Sequence, residues 1–173
     1  GHTIRCHTRS GDGAVTVQNS IAWSCNVALM YMAEAVGKSD FSEFQEIFNF
    51  GTTTGIDLPG EATGILHTET QLSSSSTELA SASFGQGYTC TMIQEIAAFC
   101  SLVNGGNYYE PHMVKQILDE NGGTINNIEP TVYRKTISSE TSAMLRDALF
   151  DVVDSGTAQK AKVEGYTIGG KTG

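Results

Sequence analysis

The chain has 173 residues, which is enough for one domain with a sizeable hydrophobic core. Its formal net charge of -9 and isoelectric point near 4.8 exclude a general affinity for nucleic acid or for anionic membrane surfaces. A membrane-spanning helix would need about 18 consecutive apolar residues. The longest purely apolar run, Val27 to Ala33, is far shorter than that.

The first forty residues predict a loop followed by two helices. Residues 1–13 are polar and rich in glycine, as loops are. One helix is expected from about Val15 to Ala22, and a second begins at Ser24-Cys25-Asn26. The second has apolar residues at helical spacing, namely Cys25, Ala28, Leu29, Met32, Ala33 and Val36. Because its other faces are apolar too, we expect this helix to be buried and to end at Gly37.

The middle of the chain predicts a short helix and then irregular structure. Asp40 and Glu43 are spaced as a capping pair, with Phe41, Phe44 and Phe48 facing inward. Residues 52–66 contain three glycines and a proline without any period, and predict an ordered loop or a short edge strand. The four serines of residues 73–76 predict a mobile loop. Residues 84–87, Phe-Gly-Gln-Gly, predict a tight backbone passage.

The last third of the chain predicts two helices and a few strands. A capping box at Thr91 and Gln94 begins a helix with Ile96, Phe99, Cys100 and Val103 facing inward. Residues 113–118 and 123–128 predict a hairpin. Ser138 caps a surface helix whose buried stripe would be Leu145, Ala148, Leu149, Val152 and Val153. Residues 166–173 predict a strand, and the whole pattern predicts an α+β fold with helices packed on an antiparallel sheet.

The cysteines predict neither a disulfide framework nor a metal site. Cys6, Cys25, Cys90 and Cys100 show no C-x-x-C spacing, and Cys25 and Cys100 fall on apolar stripes. This favours buried free thiols. His2, Cys6 and His7 have ligand chemistry, but no second ligand pair follows at zinc-finger spacing. We therefore expect no metal and no cofactor.

Two short polar motifs lie at positions where we expect polar groups to be hydrogen-bonded or functional. Ser24 and Asn26 begin a helix that is otherwise apolar, so burial would be costly unless they are hydrogen-bonded or in use. Lys171, Thr172 and Gly173 form the end of the last predicted strand, where an ammonium and a hydroxyl could bind a ligand's carboxylate. Each motif also has a plain explanation: helix capping for the first, and a solvated charge for the second.

Together and in this order, the motifs resemble the S-x-x-K, S-x-N and K-T-G set of penicillin-binding proteins and serine β-lactamases. Further stretches resemble the transpeptidase domain of class B penicillin-binding proteins and cover essentially the whole chain. They are FGTTTGIDLPGE (50–61), ASFGQGYTCTMIQ (82–94), LVNGG (102–106), GTA (156–158) and YTIGGKTG (166–173). The resemblance implies a partial penicillin-binding-protein transpeptidase fold, with an incomplete sheet.

The resemblance also implies a chemistry for the motif residues. A serine attacks the D-alanyl-D-alanine of a peptidoglycan stem peptide, and the acyl-enzyme passes to an acceptor amine. Ser24 would relay a proton to the leaving amine, Asn26 would hold the substrate's carbonyl, and Lys171 would set the local field. Thr172 would bind the substrate carboxylate, and Gly173 would leave room for substrate along the strand edge. β-Lactams would be trapped by the same groups.

The chain departs from the family pattern in its nucleophile. No serine is followed by a lysine three residues later, so the S-x-x-K serine and its lysine base are not in these 173 residues. The two backbone N–H groups of the family's oxyanion hole are not among them either. We therefore expect residues 1–173 to be a partial transpeptidase domain, truncated at both ends and inactive by itself.

Two other functions on the same fold stay open: a non-catalytic β-lactam sensor domain and a serine β-lactamase. The stretches at residues 50–61 and 82–94 favour the transpeptidase. The resemblance further implies that the parent protein is membrane-anchored, faces the outside of the cell membrane and works in a cell-wall synthesis complex.

Overall fold

Helices dominate the chain, as its hydrophobic periods predict. A computed structural model describes residues 3–173. Its helices are α1 Val17–Ala22, α2 Asn26–Val36, α3 Lys38–Ile47, α4 Glu69–Ser74, α5 Ser76–Ala82, α6 Met92–Val103 and α7 Ser139–Asp154, with a 3₁₀ turn at Gln159–Ala161. Its strands are β1 Asn107–Tyr109, β2 Gln116–Leu118, β3 Thr124–Asn127 and β4 Val132–Lys135. The predicted α+β class is confirmed.

The chain divides into two units. Unit 1 comprises residues 1–44, 67–88 and 143–173, of which the structure describes those from residue 3 onwards. In unit 1, α2 packs against α1 and α5, and α4 packs against α5. The core consists of small and aliphatic side chains from these helices and from the end of α7: Ala22, Ala33, Leu72, Leu79, Ala80, Ala82, Ala148, Leu149, Val152 and Val153. The predicted buried stripe of α7 is therefore confirmed, apart from the half-buried Leu145.

Unit 2 comprises residues 45–66 and 89–142 and holds both sheets. Strand β1 pairs antiparallel with β4, and β2 pairs antiparallel with β3 in the predicted hairpin. Helix α6 packs against β1. Strands β1 and β4 were not expected from the sequence, because runs of three or four residues are too short to show an alternating pattern.

The interior of unit 2 is partly polar, which corrects the prediction for α6. The predicted inward residues Ile96 and Cys100 are exposed, Ile96 by 59%, and the buried residues of the helix are Gln94, Ala97, Ala98 and Ser101. Gln94 donates from Nε2 to the carbonyl oxygens of residues 52 and 63, at 2.6 and 2.9 Å. A buried amide is stable when it is satisfied in this way. Hydrogen bonding, which hydrophobic periodicity does not report, thus decides which face of α6 is buried.

The serine run is helical rather than a mobile loop. Ser73 and Ser74 end α4, Ser75 accepts a hydrogen bond from the Thr77 N–H at 3.2 Å, and Ser76 begins α5. Serine favours helix N-caps because its hydroxyl satisfies a free backbone N–H. The run therefore marks a junction of two helices.

Two predicted helix faces are also corrected. Helix α2 is not buried all round, since Tyr31 is 68% exposed and Val36 is exposed as well. It packs against α1 and α5, and these exposed residues show that part of its surface remains open to solvent. Helix α3 begins at Lys38, so Asp40 lies in its first turn instead of at the cap, and Phe44 is exposed.

The predicted last strand does not form a ladder in the described residues. Residues 166–173 have no strand assignment, and within them the backbone bond to a distant element runs from the Gly170 N–H to the Leu149 carbonyl at 3.1 Å. A strand is defined by pairing with a neighbouring strand. Alternating side chains predict an extended backbone, but they do not show that a neighbouring strand is available to pair with it.

No helix in residues 3–173 combines the length and the apolar character that crossing a membrane requires.

Glu61 organises the loop of residues 52–66. Its carboxylate accepts bonds from the Thr54 N–H and hydroxyl, both at 2.6 Å, and from the Gly55 N–H at 3.2 Å. Partial burial raises the pKa of Glu61, but the bonds from Thr54 and Gly55 outweigh it and hold the pKa below the ordinary glutamate value. The ionised Glu61 carboxylate is thus stabilised in the folded chain relative to the unfolded chain.

Replacing Glu61 by glutamine should destabilise the chain by about 1–2 kcal/mol at neutral pH, because an amide NH₂ would face one of these donors. A carboxyl whose folded pKa is lowered contributes stability above its unfolded pKa and loses it as the pH falls through the folded pKa. Urea unfolding should therefore show a difference between Glu61→Gln and the parent chain that disappears in acid. Glu120→Gln, at an exposed hairpin position, is the control and should be neutral at both pH values.

Candidate active site

Ser24 is held at the junction of α1 and α2 in a conformation that few side chains adopt. Its φ is +53°, in the left-handed region, and its N–H donates to the Ile21 carbonyl at 3.2 Å. The preceding Trp23 caps the end of α1, and the following Cys25 caps the start of α2. A left-handed serine costs on the order of 1 kcal/mol and is maintained by the two helices around it. The helix ends thus fix the backbone position from which the Ser24 side chain projects.

Lys171 and Ser24 are in direct contact, although 147 positions separate them in the sequence. The Lys171 ammonium donates to Ser24 Oγ at 2.8 Å and to the Thr172 carbonyl at 2.7 Å. Partial burial of the ammonium group lowers the pKa of Lys171 from the ordinary lysine value. Because Ser24 Oγ accepts from the ammonium, its own hydrogen is free to be donated elsewhere.

The other predicted site residues surround this pair. Asn26 begins α2 and donates from Nδ2 to the Arg5 carbonyl at 3.3 Å. The Thr172 hydroxyl lies 2.8 Å from the Thr157 hydroxyl. Within unit 1, the structure therefore brings all five predicted residues into one cleft of about 570 Å³: Ser24, Asn26, Lys171, Thr172 and Gly173. Their roles in a reaction stay predictions.

The cleft has further lining residues that are not among the predicted site residues. They are His7, Leu29, Ser83, Phe84, Gly85, Gln86 and Thr157. The sequence contains a sign of one part of this lining, because residues 84–87 predict a tight backbone passage. In the structure Gly85 and Gly87 indeed have φ of +87° and +86°. Thr157 belongs to the GTA stretch noted for its family resemblance. His7 gave no signal, since a polar loop residue has no period that points to a cleft.

The N-terminal residues with metal-ligand chemistry are not grouped as their positions in the sequence suggest. His2 lies outside the described residues. Cys6 lies with Asp12 and Cys25, and the ligand atoms of these three residues are all within 4.8 Å of one another. His7 lines the cleft and does not join that cluster. The four cysteines are free thiols, of which Cys25 is buried and Cys100 is exposed, so the predicted burial of Cys100 is wrong.

The cleft brings together a hydroxyl in contact with an ammonium, an amide and a second hydroxyl. A hydroxyl beside an ammonium can pass on a proton, and amide, ammonium and hydroxyl groups can all donate to carbonyl or carboxylate oxygens. A nucleophile of the S-x-x-K type is not among the 173 residues.

Comparison with known proteins gives the family. The family described as the penicillin-binding protein transpeptidase domain matches residues 1–173, and the chain belongs to it. The stage V sporulation protein D of Bacillus subtilis is 40% identical over 174 residues, which cover 100% of this chain and 27% of that protein. The chain thus spans about a quarter of the length of this curated relative.

Solved structures share the fold. The D,D-transpeptidase domain of a peptidoglycan glycosyltransferase from Eggerthella lenta superposes with a TM-score of 0.89 at 23% identity, over 99% of this chain and 44% of that one. Penicillin-binding protein 3 of Mycobacterium tuberculosis, in complex with aztreonam, gives a TM-score of 0.80 at 26% identity, over 90% of this chain and 36% of that one. The likeness extends over nearly the whole chain.

Proposed function

We propose that this chain supplies two walls of the active site of a serine D,D-transpeptidase that cross-links peptidoglycan stem peptides. The observation that carries the proposal is the 2.8 Å contact from Lys171 Nζ to Ser24 Oγ in a cleft that also contains Asn26 and Thr172. Helix capping alone does not explain this contact, because Ser24 and Lys171 come from opposite ends of the chain. Membership of the transpeptidase family supports the same assignment.

In the proposed reaction, a serine supplied by an S-x-x-K segment attacks the carbonyl carbon of the penultimate D-alanine. The new ester bond forms as the peptide C–N bond breaks, and the leaving amine takes a proton. The attacking serine gives its proton to the lysine of the S-x-x-K segment. Ser24 passes its own proton to the leaving amine, since its Oγ accepts from Lys171 and its hydrogen is free, and it regains a proton from the S-x-x-K lysine. Lys171 remains charged and stabilises negative charge near the reacting carbonyl. An amine of a second stem peptide then attacks the ester and releases the serine.

The remaining groups bind the substrate. The Asn26 amide holds a backbone carbonyl of the stem peptide, and the Thr172 hydroxyl and Lys171 ammonium bind its terminal carboxylate. The Thr157 hydroxyl, 2.8 Å from that of Thr172, orients it. Gly173 leaves the backbone bare beside the substrate. A β-lactam carries a carboxylate and a reactive carbonyl at similar positions, so it acylates the same site.

Because peptidoglycan lies outside the cell membrane, we propose that the protein works at the outer face of that membrane, anchored in it and within a cell-wall synthesis complex. Labelling of intact cells by a penicillin that does not cross the membrane is the expected result for this location. Labelling only after cell lysis would contradict it.

The test of the activity uses a protein in which this segment replaces its counterpart in the transpeptidase domain of a family member, which supplies the S-x-x-K segment and the residues after the K-T-G glycine; we call it the joined protein. We expect a fluorescent penicillin to form one stable covalent adduct on the joined protein and none on the 173-residue chain alone. The matched control replaces the S-x-x-K serine by alanine and should abolish the adduct. Rapid turnover of a chromogenic cephalosporin would instead indicate a β-lactamase, and an adduct on the chain alone would overturn the proposed division of roles.

A further inference from the structure

One wall of the cleft is formed by residues 83–86, here the wall segment, which directly follow helix α5. Hydrogen bonds attach its backbone to the last turn of that helix. The Ser81 carbonyl accepts from the N–H groups of Phe84 and Gln86, at 3.3 and 3.0 Å. The next carbonyl along the helix accepts from the Gly85 N–H at 3.1 Å. The end of α5 therefore fixes where the wall segment begins.

His67 lies behind the other end of the wall segment. The segment is followed by Gly87, whose φ of +86° is in the left-handed region that favours glycine. A Cβ built at Gly87 would lie 3.2 Å from His67 Nε2 and 3.3 Å from Ser81 Oγ, which is closer than an ordinary van der Waals contact. The imidazole and the hydroxyl thus lie against the backbone at the point where the wall segment ends.

The imidazole of His67 is placed there by α4 and α5. His67 immediately precedes Thr68, the N-cap of α4, and its Nε2 lies 3.2 Å from Glu78 Oε2 in the first turn of α5. Although this nitrogen is shielded from solvent, it makes no aligned hydrogen bond to any described residue. A buried nitrogen in that state costs stability, and a partly exposed ion pair offsets little of that cost. Stability alone therefore does not explain an imidazole at this place.

We propose that His67 is a positioning residue of the cleft, which fills the space between Glu78 and Gly87 and so holds the wall segment where the stem peptide binds. The inference rests on the proposed function, because it concerns how the cleft holds its substrate. His67 is not among the residues that line the cleft. It acts through Gly87, the residue at which the wall segment ends.

The wall segment and the reacting groups are held by different parts of unit 1. Ser24 lies at the junction of α1 and α2, and Lys171 reaches it from the end of the chain. Loss of the imidazole leaves a space behind Gly87 into which the wall segment can relax, while the contact between Ser24 and Lys171 stays in place. A small displacement of a group that positions substrate has a large effect on the reaction. We therefore expect His67 to affect the binding of substrate more than the chemical step.

The plain alternative is that His67 only joins α4 to α5. In that case its loss reduces the fraction of folded protein, while each folded molecule binds penicillin as the parent protein does. The two explanations thus differ in the binding constant measured per active molecule, and the number of covalent adducts formed counts those molecules.

The first experiment measures penicillin acylation of the joined protein over a range of penicillin concentrations, which separates initial binding from the rate constant at saturation. His67→Ala should weaken initial binding about tenfold and leave the saturated rate constant within about threefold of the parent value. His67→Gln, whose amide nitrogen stands as many bonds from the backbone as Nε2, should restore most of the binding. The control is His112→Ala, which removes an imidazole that contacts the Val114 carbonyl in unit 2, and it should bind like the parent protein.

Two results of this experiment would overturn the proposal. One is unchanged initial binding by the active molecules of His67→Ala, which would leave His67 a purely structural role. The other is a loss confined to the saturated rate constant, which would mean that the imidazole acts on the reacting groups instead of on the wall segment.

The second experiment tests the contact itself with a double-mutant cycle on the 173-residue chain. Gly87→Ala should lower the melting temperature by at least about 2 °C more in the parent chain than in His67→Ala, because removal of the imidazole frees space for the new methyl group. Additive effects of the two substitutions would show that the imidazole does not lie against Gly87, and would overturn the proposal. A joined protein that forms no adduct at all would refute the proposed function. Because the cycle needs no activity, it keeps the two failures apart.

Discussion

Replacing Lys171 by alanine should slow penicillin acylation of the joined protein by about a hundredfold to a thousandfold, which is the usual effect of losing one preorganised group that stabilises developing charge. The ammonium donates to Ser24 Oγ at 2.8 Å, so its loss removes both the local positive charge and the contact that orients the proton donor. Stopped-flow acylation kinetics measure the effect directly. A rate within about threefold of the parent protein would show that Lys171 is not part of the reaction.

The pH dependence of the acylation rate tests whether Lys171 is the ionisable group that controls this rate. Partial burial lowers the pKa of Lys171, so the ammonium loses its proton at a lower pH than an ordinary lysine does. The acylation rate should therefore fall on the alkaline side, with a midpoint below 10.5, the ordinary lysine value. In Lys171→Ala this alkaline limb should be absent. An unchanged limb in the variant would assign it to another group.

The matched control for charge is Lys162→Ala. Lys162 belongs to the same unit and pairs with Asp154 at 2.5 Å on the surface, outside the cleft. The substitution Lys162→Ala removes one positive charge from a side chain that does not contact Ser24. The acylation rate of this variant should equal that of the parent protein, because a surface ion pair contributes little and is screened by salt.

The sequence predicted the candidate site more completely than it predicted the packing around it. Polar residues at the start of an apolar helix are costly to bury unless they are hydrogen-bonded or functional, which drew attention to Ser24 and Asn26. The resemblance to a family pattern then connected these two residues with Lys171. The structure places these three in one cleft. His7 escaped prediction because its position depends on how a loop without periodicity folds back, which a pattern of side-chain spacing does not encode.

The helix faces show where periodicity fails. In α7 the buried stripe follows the aliphatic residues, since this helix has one core-facing side. In α6 the buried face contains Gln94 and Ser101, because the amide and hydroxyl find backbone and side-chain partners. A polar group can be buried when its hydrogen bonds are satisfied. Apart from the Ala98 carbonyl in the same helix, these partners lie at residues 52, 63 and 136, and this information is absent from a local window of sequence.

A methyl group at Gly156 should destabilise unit 1 and disturb the cleft together. A Cβ built at Gly156 would lie 2.2 Å from the Ala22 carbonyl oxygen and 2.8 Å from Val152 Cα, both of them backbone atoms in the core. The Ala22 carbonyl also accepts from the Thr157 N–H at 3.1 Å, and the Thr157 hydroxyl lies 2.8 Å from that of Thr172. A close backbone contact thus holds the end of α1 against the segment after α7, and the Thr157–Thr172 hydroxyl pair connects that segment to the K-T-G residues.

We expect Gly156→Ala to cost at least about 2 kcal/mol and to lower the melting temperature by about 4–8 °C, because overpacking against backbone cannot be relieved by side-chain rotation. The control is Gly170→Ala, whose added Cβ would meet its nearest neighbour, Val153 Cγ2, at an ordinary 3.9 Å. That variant should unfold within about 0.5 kcal/mol of the parent chain. Thermal unfolding followed by circular dichroism compares the two. Equal stability of both variants would mean that the end of α7 does not rest against the Ala22 carbonyl, and that Thr157 is positioned by other contacts.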